Sequence, residues 1–346
     1  MSSENNHSKT ILVTGAAGFI GFHVAKALLN LGHQVIGLDN INDYYDVNLK
    51  YARLAQLGID KNEASRDLNY CSSNSYGDRM VFVKMNLEDR EALPQLFQNY
   101  TVDMVCNLAA QAGVRYSLEN PDAYADSNLT GFLNILECCR NNKVSKLVYA
   151  SSSSVYGNSD NVPFEESANV DNPVSLYAAT KKANELMAHA YSHLYDFESI
   201  GLRFFTVYGP WGRPDMAMFL FTEAIIKDEP VKVFNNGDLS RDFTYIDDIV
   251  NGILATLLKE SENQSKYKLY NIGNSQPVQL LEYIEAIELA LDKKAIKQML
   301  PMQPGDVKQT YANVSQLKKD FNYQPTTEVA KGIAEFVAWY KEFYGV

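Results

Sequence analysis

The chain has 346 residues and a formal net charge of −11 at pH 7, with 46% hydrophobic and 21% charged residues. This length is sufficient for two domains, or for one α/β domain with an appended lobe. The acidic balance argues against nonspecific nucleic-acid binding, and no apolar run is long enough to cross a membrane. Residues 1–9 are polar and lack the apolar core of a signal peptide. We therefore expect a cytoplasmic protein with neither nucleic-acid nor membrane partners.

The cysteines show neither a disulfide pattern nor a metal-binding pattern. Cys71, Cys106, Cys138 and Cys139 contain no Cys-x-x-Cys pair, and no histidine pair stands near them at metal-ligand spacing. We expect reduced thiols and no metal site.

The first apolar run leads into a glycine-rich turn. Residues 10–14 predict a buried parallel strand, and Gly15, Gly18 and Gly21 follow with Gly-x-x-Gly-x-x-Gly spacing before a helix that ends near residue 31. Glycines in such a turn let the backbone approach a pyrophosphate at the helix N-terminus. A tight strand–helix turn without a ligand is the alternative, and the glycines alone do not decide between the two.

The second strand ends in an acid that favours one dinucleotide. Residues 34–39 predict this strand, and Asp39 stands at its carboxyl end. An acid there accepts hydrogen bonds from the adenosine ribose hydroxyls and would repel a 2′-phosphate, whereas an ordinary loop acid would do neither. With the glycine-rich turn, Asp39 predicts a site for NAD rather than NADP.

Strands and helices alternate through the rest of this half. Further strands are predicted at 81–83, 104–108 and 147–150, and helices at 43–57, 88–98 and 122–141, while the polar stretch 58–79 is expected to be a mobile surface loop. This alternation is typical of a doubly wound parallel sheet of the Rossmann type, which binds its ligand at the carboxyl ends of the strands. The residues that we expect to contact the cofactor are Gly15, Gly18, Phe19, Ile20, Gly21, Asp39, Asn40, Asn86, Leu87, Leu108, Ala109, Ala110, Tyr177 and Lys181.

A serine, a tyrosine and a lysine form a candidate proton relay. In a helix predicted at 175–195, Tyr177 and Lys181 are four residues apart and therefore share one face. Tyrosine is a poor base at neutral pH because its reference pKa is about 10, but a neighbouring ammonium lowers that value. A serine hydroxyl from the run Ser151–Ser154, at the end of the strand before it, would complete the relay. A chain with 22 tyrosines also produces such a pair by chance.

The second half is less regular and predicts a smaller lobe. Helices are expected near 216–227, 246–259, 279–290 and 326–343, separated by short strands. We assign 1–206 to the NAD-binding domain and 207–346 to a substrate-binding α/β lobe, with the chain crossing back around 240–260. Arg241 and the turn at 303–306 are the best ligand candidates of the lobe, although most surface arginines are merely solvated.

Several of these stretches together resemble a known family. Residues 14–21 with Ser152, Tyr177 and Lys181 are similar to the extended short-chain dehydrogenase/reductase family. Within it the chain resembles the nucleotide-sugar epimerases, and most of all the UDP-glucuronate 4-epimerases. The stretches that carry this resemblance are 109–117, 151–157, 175–182, 209–216 and 241–248.

The resemblance implies interconversion of UDP-glucuronic acid and UDP-galacturonic acid with tightly bound NAD. Tyr177 would take the proton of the sugar 4-hydroxyl, Lys181 would hold the nicotinamide ribose and lower the Tyr177 pKa, and Ser152 would hydrogen-bond the 4-oxygen. The substrate-binding residues that it implies are Ser152, Ser153, Thr206, Arg213, Arg241 and Asp306. Arg213 would bind the sugar carboxylate, for which an arginine fork is well suited. Arg241 would bind the diphosphate, and Asp306 the uridine ribose.

Other activities stay open at this point. A UDP-glucose or UDP-N-acetylglucosamine 4-epimerase would use the same relay, and Arg213 would then only form a salt bridge within the lobe. By the same resemblance, a 4,6-dehydratase would carry an Asp-Glu pair just after Ser152, where this chain has Ser153 and Ser154. A UDP-glucuronate decarboxylase would carry a glutamate between Ser151 and Gly157, and this chain has none there. A catalytically silent NAD sensor would not need the relay.

The same resemblance implies a homodimer. The predicted helices at 122–141 and 175–195 are similar to the pair that forms a four-helix interface in this family. The apolar residues expected to line it are Leu129, Phe132, Leu133, Leu136, Leu186, Met187 and Leu194, which are equally suited to pack on the sheet.

Overall fold

The computed structural model of the chain describes residues 8–261, 263–303 and 307–346. The strands in these ranges are β1 (Thr10–Thr14), β2 (Gln34–Asp39), β3 (Tyr70–Ser73), β4 (Gly77–Lys84), β5 (Met104–Asn107), β6 (Lys146–Ser152), β7 (Glu198–Phe204), β8 (Thr206–Tyr208), β9 (Pro230–Val233), β10 (Ser240–Tyr245), β11 (Tyr267–Ile272), β12 (Pro277–Gln279) and β13 (Ile296–Met299). The α-helices are α1 (Phe19–Asn30), α2 (Val47–Gln56), α3 (Lys61–Ala64), α4 (Ala92–Asn99), α5 (Tyr116–Glu119), α6 (Pro121–Tyr124), α7 (Gly131–Asn141), α8 (Leu176–Tyr195), α9 (Ala217–Ile226), α10 (Ile246–Leu258), α11 (Leu280–Leu291), α12 (Ser315–Phe321) and α13 (Val329–Tyr344).

Eight strands form one large sheet in the order β11-β7-β6-β5-β1-β2-β4-β3. Its neighbours are parallel except for the antiparallel pair of β3 and β4. Successive side chains of a strand point to opposite faces, so Leu12 of β1 packs into one apolar core while Ile11 and Val13 pack into the other. The predicted doubly wound sheet is confirmed, and burial on both faces explains why its strands are continuously apolar.

The strand order reverses between β1 and β5, and the carboxyl ends of both strands meet at this point. Such a switch point leaves a crevice where open α/β sheets bind their ligands. The glycine-rich turn follows β1 directly, so the fold brings it to this crevice.

Two smaller sheets lie in the second half of the chain. One has the strand order β12-β10-β8, and the other pairs β13 with β9. The chain also returns to the large sheet, because β11 pairs with β7 and α10 packs against α1 and β6. The domain ranges 1–206 and 207–346 stay a prediction.

The prediction of a mobile surface loop at 58–79 is wrong. This stretch contains α3 and β3, and Cys71 of β3 pairs with Phe82 of β4. The Ser73 hydroxyl donates to the Leu57 carbonyl (2.7 Å) and accepts from the backbone N–H groups of Ser75 and Tyr76. Serine side chains therefore satisfy backbone groups here, which gives the stretch a polar sequence although it is folded.

The helix predicted at 122–141 is divided into α6, a π-helical turn (Ala125–Thr130) and α7. In the described part of the chain no helix is long and apolar enough to span a membrane. The four cysteines are free thiols in buried positions, as expected. No group of three or more His, Cys, Asp or Glu residues at metal-binding distance occurs among the described residues.

Candidate active site

The glycine-rich turn is shaped by close backbone contacts. Gly15 has a positive φ of +71°, and its carbonyl accepts a hydrogen bond from the Gly18 N–H (2.8 Å). A Cβ on Gly21 would overlap the Gly15 carbonyl oxygen, and one on Gly15 would lie 2.9 Å from the Ala109 nitrogen. The turn ends at Gly18, the N-cap of α1, whose first N–H groups have no partner within the helix. This arrangement fits an anionic pyrophosphate.

Asp39 lies beside this turn at the end of β2 and is 6% exposed. Its carboxylate accepts hydrogen bonds from the backbone N–H groups of Ala17 (3.2 Å) and Ile41 (2.8 Å), and the Lys50 ammonium lies 3.8 Å away. A carboxylate has about four lone-pair sites, so ribose hydroxyls can still donate to it. The glycine-rich turn and this carboxylate together fit a dinucleotide.

The remaining expected cofactor residues follow strands of the same edge. Asn40 follows β2, Asn86 and Leu87 follow β4, and Leu108, Ala109 and Ala110 follow β5. The Thr14 hydroxyl donates to Asn107 Oδ1 (2.8 Å) and accepts from the Ala109 N–H (3.0 Å), which fixes the end of β5 against β1. The fold thus gathers these residues at the crevice.

The candidate relay is also assembled. Ser152 ends β6, and α8 carries Tyr177 and Lys181. The Ser152 hydroxyl donates to the Ser154 hydroxyl (3.1 Å) and lies close enough to the Tyr177 phenol to lower its pKa. The Lys181 ammonium lies 5.9 Å from the centroid of the Tyr177 ring and donates to the Ala150 carbonyl (2.8 Å). A hydroxyl, a phenol and an ammonium therefore meet at one strand end, which is the chemistry that a proton relay needs.

The net direction of the Tyr177 pKa is opposite to the expected one. Burial raises the pKa of Tyr177, whereas the hydrogen bond from Ser152 and the positive charge of Arg213 lower it. Burial also lowers the pKa of Lys181 to about 8. The sequence predicts that the Lys181 ammonium lowers the Tyr177 pKa, but Ser152 and Arg213 are the groups that lower it, and burial is the larger effect.

Arg213 stands in the turn that follows β8. Its Nε and Nη2 donate to the two carboxylate oxygens of Asp215 (3.0 and 2.5 Å), and the Tyr44 hydroxyl donates to the same carboxylate (3.1 Å). Burial lowers the pKa of Arg213, but the Asp215 charge and hydrogen bonds outweigh this effect and hold the pKa above its ordinary value. The salt bridge considered as the alternative role is present. The same guanidinium is also close enough to Tyr177 to lower its pKa.

The other expected substrate residues are spread more widely. Ser153 begins a short 3₁₀ turn after Ser152, and Thr206 begins β8, where it pairs with Phe243. Arg241 lies in β10, and its Nη1 donates to the carbonyls of Ser240 (2.9 Å) and Lys308 (3.2 Å). Asp306 lies outside the described residues.

Comparison with known proteins gives a consistent result. Residues 11–273 match the model of the NAD-dependent epimerase/dehydratase family. Protein CapI of Staphylococcus aureus is 51% identical over 96% of this chain and 99% of its own length. UDP-glucuronate 4-epimerase 4 of Arabidopsis thaliana is 45% identical over 99% of this chain and 77% of its own length. The UDP-glucuronic acid 4-epimerase of Bacillus cereus, solved with UDP-glucuronic acid and NAD, has a TM-score of 0.85 and 32% identity over 97% of this chain and 100% of that chain.

The chain belongs to the NAD-dependent epimerase/dehydratase family. The predicted resemblance, the NAD cofactor and the predicted class of enzyme, an NAD-dependent nucleotide-sugar epimerase, are thereby confirmed.

In this member of the epimerase/dehydratase family, a buried ionic network beneath the relay escaped the sequence analysis. Glu185 and Arg203 form a two-point ion pair (2.8 and 2.9 Å), and the Ser151 hydroxyl donates to Glu185 (2.6 Å). Glu185 lies one helical turn after Lys181, and Ser151 immediately precedes Ser152. The network therefore fixes α8 against β6. The four-residue spacing of Lys181 and Glu185, which places them on one helix face, would have indicated that Glu185 lies near the relay.

Asn128 of the π-helical turn was also missed. Its Oδ1 accepts from the Gln111 N–H (2.8 Å) and its Nδ2 donates to Thr180 Oγ1 (3.1 Å), while Asn184 Nδ2 donates to its carbonyl (2.6 Å). Asn128 thereby joins the segment after β5 to the relay helix. It follows the fully buried Tyr124 by four residues, and that helical spacing would have placed it on the buried face.

Proposed function

We propose that this chain is a UDP-glucuronate 4-epimerase, which interconverts UDP-glucuronic acid and UDP-galacturonic acid. The observation that carries the proposal is the position of Arg213, whose charge acts on Tyr177 of the relay. A desolvated carboxylate requires a cation, and an arginine fork is the best-matched partner. Asp215 engages Nε and Nη2, and a guanidinium has five N–H donors. The similarity to UDP-glucuronate 4-epimerases supports the same substrate.

In the proposed reaction the relay moves a proton at the sugar 4-oxygen. NAD, when held by the glycine-rich turn and Asp39, would supply the acceptor and donor of hydride at C4 of the sugar, whose configuration inverts when the hydride returns to the opposite face. Tyr177 accepts the proton of the 4-hydroxyl and later gives it back, and Ser152 hydrogen-bonds the 4-oxygen throughout. Lys181 provides a positive charge beside the phenol. In addition, the charge of Arg213 opposes the effect of burial on the Tyr177 pKa.

The residues after Ser152 favour epimerisation over elimination or decarboxylation. Ser153 and Ser154 occupy the positions at which an acid would drive a second step, and the Ser154 N–H donates to the Ser152 hydroxyl (3.2 Å). The aliphatic hydroxyl of a serine is far less acidic than a carboxylic acid or a phenol, so Ser153 and Ser154 cannot replace a carboxylate as acid or base for that second step. The keto sugar is therefore re-reduced.

We assign the remaining contacts by the same reasoning. Gly15–Gly21 and Asp39 hold the NAD pyrophosphate and adenosine ribose, Arg241 the UDP diphosphate, and Asp306 the uridine ribose. Ser153 and Thr206 line the sugar. The residues up to 206 form the NAD-binding domain and those from 207 the substrate lobe, with the crossing back to the sheet described above. A cytoplasmic location is part of this proposal, and the four buried free thiols support it.

We also propose a homodimer through the faces of α7 and α8. Leu186 and Leu194 of α8 are 60% and 64% exposed, and they are two turns apart on the same side of the helix. Phe132 and Leu136 of α7 are buried in the core and do not contribute to this face. Size-exclusion chromatography with light scattering tests the proposal, since Leu186→Asp with Leu194→Asp is expected to give a monomer. A variant that stays dimeric would refute it.

The experiment that tests the activity is proton NMR of purified protein incubated with each UDP-sugar and no added NAD. UDP-galacturonic acid formed from UDP-glucuronic acid is the expected result. UDP-xylose would mean decarboxylation. Turnover of UDP-glucose or UDP-N-acetylglucosamine with no change of UDP-glucuronic acid would refute the role of Arg213.

A further inference from the structure

Arg53 of α2 is one of the largest fully buried side chains in the described part of the chain. Its guanidinium makes five hydrogen bonds: Nε donates to the Trp211 carbonyl (3.1 Å), Nη1 to the Ala17 carbonyl (2.9 Å) and the Tyr45 hydroxyl (2.7 Å), and Nη2 to the carbonyls of Trp211 (2.7 Å) and Gly212 (3.1 Å). An arginine has five N–H donors, so this set uses its full capacity.

The backbone acceptors of Arg53 belong to the two turns that form the proposed site. Ala17 lies within the glycine-rich turn, between Gly15 and Gly18. Trp211 and Gly212 immediately precede Arg213. Each acceptor is an uncharged oxygen, so the planar fork of Arg53 acts through geometry rather than through an opposite charge.

The side chain of His23, also from the first half of the chain, contacts the carbonyl that precedes Trp211 in this turn. The Nε2 atom of His23 in α1 lies 3.0 Å from the Pro210 carbonyl. Burial lowers the pKa of His23 to about 4, so the imidazole is neutral at pH 7, and Nε2 must carry the proton to donate to a carbonyl. His23 and Arg53 therefore bind three consecutive carbonyls, those of Pro210, Trp211 and Gly212.

The turn needs such external contacts. Trp211 has a φ of +63°, a left-handed conformation that costs free energy for a residue with a side chain. On the far side of the turn, the Tyr44 hydroxyl donates to Asp215, which in turn engages Arg213. The segment from Tyr44 to Arg53 thus contacts the turn both before and after Arg213.

We propose that Arg53 is a positioning residue, which ties the turn that carries Arg213 to the glycine-rich turn and so aims Arg213 at the substrate carboxylate. This inference rests on the proposed function, in which Arg213 recognises a uronic acid. All five N–H donors of Arg53 are engaged by protein oxygens, so we assign it no direct contact with substrate or cofactor. Lysine in its place keeps the charge but has only three donors and no planar fork, so it cannot hold both turns at once.

If Arg53 positions Arg213, its substitution changes sugar selectivity, whereas a residue that only stabilises the fold would not change it. The measured quantity is the ratio of the dissociation constants for UDP-glucose and UDP-glucuronate, obtained by isothermal titration calorimetry. The NAD-loaded Tyr177→Phe protein serves as the parent, because the proposed relay is then interrupted and the ligand is not converted. Arg53→Lys and Arg213→Ala are introduced separately and together. Arg79→Lys is the matched control, since Arg79 also donates to a backbone carbonyl, that of Leu29, but is exposed.

We expect the effects of Arg53→Lys and Arg213→Ala on the selectivity ratio to be non-additive in this double-mutant cycle. Arg53→Lys is expected to lower the selectivity ratio about tenfold. This factor corresponds to the loss of most of the free energy of one charge-assisted hydrogen bond. In the Arg213→Ala background the same substitution changes the ratio less than about twofold, because no carboxylate-binding group is left to aim. Arg79→Lys leaves the ratio unchanged.

Three results would decide against the account in different ways. An unchanged ratio in Arg53→Lys would overturn the inference, as would an equal decrease in both backgrounds. A parent protein that binds both sugars equally well would refute the proposed substrate, and the aiming of Arg213 with it.

A milder variant keeps the inference testable if Arg53→Lys does not fold. Tyr45→Phe removes one acceptor of Arg53 and retains the arginine, and Tyr45 is only partly buried. We expect a decrease of about threefold in the selectivity ratio, corresponding to one weak hydrogen bond. No decrease in folded Tyr45→Phe protein would overturn the inference.

Discussion

Lys181 offers a test in which stability and activity change in opposite directions. The residue is 3% exposed, and burial lowers its pKa from 10.5 to about 8. The folded protein therefore holds a charged group at pH 7 that it solvates poorly. We expect Lys181→Met to fold at least as stably as the wild type at pH 7, while losing turnover.

The magnitude follows from this pKa. At about 1.36 kcal/mol for each factor of ten, the difference between 10.5 and about 8 amounts to roughly 3 kcal/mol of destabilisation at pH 7. Methionine removes this cost and fills a similar volume. It leaves the Ala150 carbonyl without the 2.8 Å hydrogen bond, which costs about 1–3 kcal/mol. The expected net change is a gain of about 1 kcal/mol.

The pH dependence gives the sharper test. Because the pKa of Lys181 is lower in the folded state, the unfolded chain binds more protons between pH 8 and 10.5, and the wild type gains stability as pH rises through this range. Lys181→Met lacks this gain. The free energy of unfolding of the wild type relative to the variant is expected to rise by about 1.6 kcal/mol between pH 8 and pH 9.5.

The assay is urea denaturation of both proteins at several pH values, followed by circular dichroism. Bound NAD would stabilise whichever protein retains it, so the NAD content of both preparations is measured. Lys182→Met, on the same helix but less buried, is the control and is expected to show a much smaller pH-dependent difference. A difference between wild type and Lys181→Met that does not vary with pH would refute this reasoning.

Three further substitutions test other parts of the site. Tyr177→Phe is expected to lower kcat for UDP-glucuronate about 10³-fold without unfolding the protein, measured by proton NMR, because it removes the proposed general base. Glu185→Gln is expected to lower the free energy of unfolding by about 3 kcal/mol in urea denaturation, since it leaves the Arg203 charge buried without its partner. Gly21→Ala is expected to yield protein without bound NAD, measured by absorbance after acid release, because its Cβ would overlap the Gly15 carbonyl oxygen.

Each of these has a control that changes similar chemistry elsewhere. Tyr195→Phe, at the exposed end of α8, keeps normal turnover. Glu223→Gln breaks an exposed ion pair with Lys227 and costs less than about 1 kcal/mol. Gly32→Ala places its Cβ in open space at the end of α1, and although its φ of +88° strains the backbone there, the turn at Gly15 is untouched and NAD is retained. Full turnover in Tyr177→Phe, normal stability in Glu185→Gln, or normal NAD content in Gly21→Ala would each contradict the role assigned to that residue.

Local sequence patterns predicted the parts of the fold that have simple periodicity. The apolar run before Gly15 predicted β1, and the four-residue spacing of Tyr177 and Lys181 predicted their common helix face. The prediction for 58–79 failed because this stretch has no apolar pattern to reveal its structure. Serine side chains form hydrogen bonds with its backbone groups instead.

The polar interior could not be predicted in the same way. Arg53 and Glu185 have charged side chains, and a charged residue is expected at the surface unless a partner is known. Trp211, whose carbonyl binds Arg53, is distant in sequence, and no sequence motif links Arg203 to Glu185. Only the fold brings each pair together. The available signal was position: Arg53 follows the buried Leu49 by four residues in α2 and therefore lies on the same helix face.

The most direct measurement of the central claim uses UDP-glucuronic acid that carries deuterium at C4. The purified protein is incubated with this substrate in ordinary water without added NAD, and the product is analysed by NMR and mass spectrometry. The account predicts UDP-galacturonic acid that retains the deuterium at C4, because the hydride leaves and returns within one bound complex. UDP-galacturonic acid with hydrogen at C4, or no epimerisation at all, would contradict it.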